Sequence, residues 1–82
     1  MIQTKHRIEH SGDFKAKMKR LGALCRKRRI ELDMTLGEVA AAVGCSFQRV
    51  SDIEKGDTPS LQTYMNLCKA LNDGKSMLSD CA

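Results

Sequence analysis

The chain has 82 residues, 41% of them hydrophobic and 29% charged, with a formal net charge of +4. That length suits one small domain, which buries only about 60–65% of its unfolded surface. No apolar run approaches the roughly 20 residues that cross a bilayer, and the opening MIQTKHRIEHSGDFK lacks the apolar segment of a signal peptide, so a cytoplasmic protein without a membrane partner is expected.

Residues 1–12 are mostly polar, and Ile2, Thr4, His6 and Ile8 alternate. They read as an N-terminal arm, either flexible or a short strand. Ser11 can cap a first helix, with Asp13 in its first turn. Phe14, Met18, Leu21, Cys25 and Leu32 then recur at helical spacing to about Asp33. Gly22 interrupts this run at a cost near 1 kcal/mol relative to Ala, so it marks a close packing contact. Thr35 caps a second helix and Glu38 stands three residues on, the pattern of a capping box. Leu36, Val39, Ala40 and Val43 form its inner face, and Gly44 can stop it in the left-handed conformation. Ser46 caps a third helix with Val50 and Ile53 inside, ended by Gly56. Ser60 caps a fourth, with Leu61, Tyr64, Leu67, Cys68 and Leu71 inside. After the turn Asn72-Asp73-Gly74, residues 76–81 suit a short fifth helix with Met77 and Leu78 facing in. The core is therefore all-α, with an arm over 1–12 and one domain over 13–82.

Four cysteines in a short chain can signal disulfides. Here Cys25 and Cys68 fall on apolar helical stripes, where Cys acts as a small buried hydrophobe, and a reducing cytosol keeps thiols free. No cysteine pair has a structural-zinc spacing. Neither metal nor cofactor is expected, and the absence of a Gly-rich phosphate loop or a paired acid and base argues against an enzyme with catalytic residues. Charge is unevenly distributed. Residues 1–29 hold ten Lys or Arg against Glu9 and Asp13, whereas residues 30–82 hold four against eight acids. A basic stretch of this kind is either a well-solvated helix or a footprint for a polyanion.

Helices two and three, joined by a short Gly-containing turn, form a helix-turn-helix, whose second helix commonly enters the DNA major groove. The pieces LGALCRKRR (21–29), TLGEVAAAVG (35–44), VSDIEKG (50–56) and PSLQTYMNLCKAL (59–71) resemble the phage Cro/repressor, or XRE-like, helix-turn-helix family. That resemblance implies a compact five-helix bundle of the lambda-repressor-like type that regulates transcription, usually as a homodimer. It places Phe47, Gln48 and Asp52 at base edges, with Arg49 and Ser51 on the flanks. It puts Thr35 at the DNA backbone, and implies a partly buried salt bridge between Arg29 and Glu54. The family usually has Gln where Leu36 stands and often Gly where Asp33 stands.

Residue chemistry fits these positions. Gln48 can pair with adenine N6 and N7, Arg49 with guanine O6 and N7, Asp52 with cytosine N4, and Phe47 with a thymine methyl. Phe47 also suits a hydrophobic staple against helix two, and Asp52 suits a solvated acid. Ser46 and Ser51 can address phosphates. With Arg29 assigned to Glu54, the neighbouring Arg26, Lys27 and Arg28 are left for solvent or phosphate. The expected function is sequence-specific binding of a two-fold double-stranded DNA operator by a homodimer. An antitoxin-type protein that binds a toxin and represses its own operon is the alternative.

Overall fold

The computed structural model describes the backbone of residues 2–81 and the side chains of residues 12–80. Four α-helices follow in order: α1 (Ile2–Glu31), α2 (Leu36–Val43), α3 (Phe47–Glu54) and α4 (Leu61–Leu71). A single 3-10 turn, Leu78–Cys81, stands where the sequence suggests a fifth α-helix. Residues 76–81 offer too few positions for a costly helical nucleus to propagate, and Met77, fully buried, anchors this end instead.

The largest departure from the sequence reading is at the other end. An arm or strand over residues 1–12 is suggested there, yet the backbone is helical from Ile2, so Ser11 stands inside α1 rather than at its cap. No proline interrupts residues 2–31, and each residue added to an existing helix gains one hydrogen bond. Gly12 costs only about 1 kcal/mol against this. The side chains of Lys5, His6, Arg7 and His10 lie outside the described residues. At about 1.5 Å per residue α1 is roughly 45 Å long, close to the 46 Å longest dimension of the molecule.

Local capping sets the other boundaries. Thr35 Oγ1 accepts from the Glu38 amide at 3.1 Å, and the Thr35 amide donates to Glu38 Oε1 at 2.7 Å, completing the capping box of α2. Gly44, with φ 85°, closes α2 by donating its N–H to the Ala40 carbonyl. Ser46 and Ser60 cap α3 and α4 by accepting from the Arg49 and Thr63 amides. Asp33 carries the α1–α2 turn at φ 57°, a region that Asp tolerates better than most residues.

One core joins the four helices. Met18, Leu21 and Cys25 of α1 meet Val39, Ala40 and Val43 of α2, Val50 and Ile53 of α3, and Leu67, Cys68 and Leu71 of α4. Burying a Leu, Ile or Val side chain contributes roughly 1.5–3 kcal/mol, so the domain rests on these positions. Among the described residues, Cys25, Cys45 and Cys68 form no disulfide with one another. Leu61, expected inside, is 74% exposed. It opens α4 and overhangs a groove between α1 and α4 instead of reaching the core. Leu32, expected on the α1 stripe, lies past the helix end and is exposed.

Gly22 determines how closely α1 meets α3. A Cβ there would stand 2.3 Å from the Ile53 carbonyl oxygen and 2.7 Å from that of Glu54. Gly22→Ala gains about 1 kcal/mol of helix propensity, but it forces rigid backbone apart, and overpacking typically costs 1–3 kcal/mol or more. A net loss of stability is expected, measurable as a lower denaturant midpoint.

Candidate nucleic-acid interface

Three residues, Gly44 to Ser46, connect α2 to α3. The turn is held from outside as well, because Asn66 Nδ2 of α4 donates to the Val43 carbonyl at 3.1 Å. Val50 and Ile53 fix the inner face of α3, each 1% exposed. At 3.6 residues per turn, Gln48, Ser51 and Asp52 occupy the outer face, with Phe47 and Arg49 on its two flanks.

The Arg29–Glu54 pair forms as the family resemblance implies. Arg29 Nε and Nη2 donate to Glu54 Oε2 and Oε1 at 2.7 and 3.2 Å. Arg29 Nη1 also donates to the Met34 carbonyl at 3.1 Å. The two side chains are only 15% and 8% exposed. The hydrogen bonds to Glu54 raise the Arg29 pKa, against the opposing effect of burial.

The outward residues differ in how they stand. Phe47 is 60% exposed and is not among the side chains packed against the core, so it does not act as the staple that its type also allowed. Gln48 Nε2 donates to Asp52 Oδ1 at 3.1 Å, pairing the two across one turn. Asp52 is half-exposed and already occupied by this bond, unlike a simply solvated acid. Arg49 is turned away from the outer face. Its guanidinium bonds the Asp57 carboxylate and the Thr58 carbonyl, the latter at 2.6 Å. Asp57 is held below the usual carboxylate range by this Arg49 bond and by the Thr58 amide. Arg49 therefore clamps the α3–α4 loop here. Ser51 is half-exposed, while the Thr35 and Ser46 hydroxyls serve their helix caps.

The basic run divides likewise. Arg28, expected to be left for solvent or phosphate, is engaged. Its Nε donates to the Leu71 carbonyl at 2.9 Å, satisfying an orphan acceptor at the end of α4, and its Nη1 meets Glu31 at 2.9 Å. Arg26 and Lys27 are exposed. Arg26 shares the stripe of Lys19, Gly22 and Arg29 along α3, whereas Lys27 is turned about 100° further round α1. Lys19 is exposed on α1. It packs against Gly56 at the end of α3, and its periodicity with Gly22 is the signal that places it there. Asp57 has no such signal, since it lies beyond the helix end.

Leu36 stands where the family usually has Gln, and it packs against the core. Among the described residues, no helix is long and apolar enough to cross a membrane, and no group of three His, Cys, Asp or Glu is arranged to hold a metal.

The family model described as helix-turn-helix matches residues 26–72, more than half of the chain. No curated protein and no solved structure matches it.

Breaking one partner of a buried ion pair typically costs 3–5 kcal/mol. Arg29→Ala should therefore lower the thermal midpoint sharply, whereas Arg26→Ala should leave it within experimental scatter.

Proposed function

Because the chain belongs to the XRE-type helix-turn-helix family of DNA-binding transcriptional regulators, we propose that it binds a two-fold operator in double-stranded DNA as a homodimer, with α3 in the major groove of each half-site. The observation that carries this reading is the division of α3. Val50, Ile53 and Glu54 are committed to the domain, whereas Phe47, Gln48 and Ser51 remain available on the outer side and flank. Gln48 suits adenine and Phe47 suits a thymine methyl. Thr35, Ser46 and Ser51 address the sugar–phosphate backbone. Arg26 and Lys27, with Lys15 and Lys19 on exposed positions of α1, supply positive charge. Arg28 and Arg49 act within the protein, at α4 and at the α3–α4 loop.

This reading has a signature in salt. Each neutralised phosphate contributes about −0.9 to the slope of log K against log salt concentration. Titration of duplex DNA at several salt concentrations is expected to give a slope of several times that value. Lys19→Ala should make it shallower by about one contact. A salt-independent affinity would reject the reading.

The homodimer draws support from the opposite kind of surface. Phe14, Leu61 and Met65 are 49%, 74% and 47% exposed. Phe14 and Leu61 border an apolar groove of about 250 Å³ whose walls include Met18, Pro59, Tyr64 and Leu78. Met65 follows Leu61 by one turn of α4. Monomeric proteins rarely expose contiguous apolar patches of large side chains, and half-sites about 34–36 Å apart call for two copies. Leu61→Glu is expected to shift the protein to monomer in sedimentation equilibrium and to weaken operator binding while leaving the fold intact.

A further inference from the structure

Gln48 and Asp52 lie one turn apart on α3, with Gln48 Nε2 donating to Asp52 Oδ1 at 3.1 Å. An ionised carboxylate only accepts hydrogen bonds, so it can hold the amide nitrogen of Gln48 and never the amide oxygen. The contact therefore fixes which way round the amide stands. It also occupies one of the two N–H groups on that nitrogen. Gln48 is left with one N–H and the Oε1 acceptor for any partner outside the protein.

That remainder distinguishes the two purines. In the major groove adenine presents an acceptor at N7 and a donor at N6, whereas guanine presents acceptors at both N7 and O6. One donor beside one acceptor matches adenine. Guanine would need both N–H groups, and one is held by Asp52. Its second acceptor would face Oε1, with the Asp52 carboxylate one turn away adding further repulsion. We propose that Asp52 is a positioning residue that commits Gln48 to adenine and against guanine, instead of reading a cytosine itself. The inference rests on α3 being the recognition helix, as set out above.

Selection from a pool of fully randomised duplex DNA tests both levels. The selections use the wild type, Gln48→Ala, Asp52→Asn and Asp52→Ala. The wild-type motif should contain an adenine position that Gln48→Ala erases. At that position, adenine should exceed guanine by about tenfold or more in the wild type, as one bidentate pair provides. The ratio should fall below about threefold in both Asp52 variants, because Ala leaves the amide free to turn and Asn, which both donates and accepts, can hold it either way round, so that both N–H groups can face the base. The other positions and the salt dependence should not change. Asn keeps the size of Asp, and melting curves identify any loss of folding in the Ala variant. An adenine preference unmoved in both folded Asp52 variants overturns the inference. So does loss of a cytosine position in its place, or a wild-type motif without a Gln48-dependent adenine. Failure of the wild type to select any motif, with salt-independent binding, would overturn the DNA-binding reading itself.

Discussion

A single guanidinium joins three parts of the domain. Arg29 leaves α1, takes both carboxylate oxygens of Glu54 at the end of α3, and reaches the Met34 carbonyl in the α1–α2 turn. A largely buried charge requires partners in nearly every direction, and these three contacts supply them. Gly22, two turns earlier on α1, lets the α3 carbonyls lie directly on the α1 backbone. The ion pair and the missing side chain act together, fixing α3 against α1 both in distance and in rotation. Whatever the outer side of α3 does, it does from a helix that cannot roll.

Much of the fold was legible because short helices are bounded by local chemistry. Thr35 with Glu38, Ser46, Ser60 and Gly44 each act on backbone groups within a few residues, so spacing alone identifies them, and the structure shows each acting as a cap. The core followed from periodicity at Leu21, Cys25, Val39, Val43, Val50, Ile53, Leu67 and Leu71. The Arg29–Glu54 pair is different, because a separation of 25 residues has no local signature and came from family resemblance.

What was not legible depends on partners distant in sequence or on elements that continue past their expected ends. Arg28 and Arg29 are adjacent and chemically identical, yet one closes α4 and the other anchors α3. Their 100° separation around α1 decides this, but only once the positions of α3 and α4 are known. Arg49 looked like a base reader by type, and Asp57 and Thr58 beyond the helix end hold it elsewhere. Leu61 matched the helical stripe, but a first-turn position at the rim of the bundle leaves it over a groove. The polar start of the chain gave no helix period, although a helix already nucleated downstream can extend through it.

The clamp on Arg49 has a consequence for how such a protein can diverge. The cation of α3 is neutralised by Asp57 and one of its two acids by Arg29, which leaves Asp52 as the helix's remaining formal charge. Its outer side therefore carries a single negative charge, whereas the positive charge is concentrated on α1. On the DNA-binding reading, attraction and choice are encoded in separate stretches of the gene. Substitutions at residues 47–52 can retarget the protein without resetting how strongly it holds nucleic acid in general, and a lineage can vary the two traits independently.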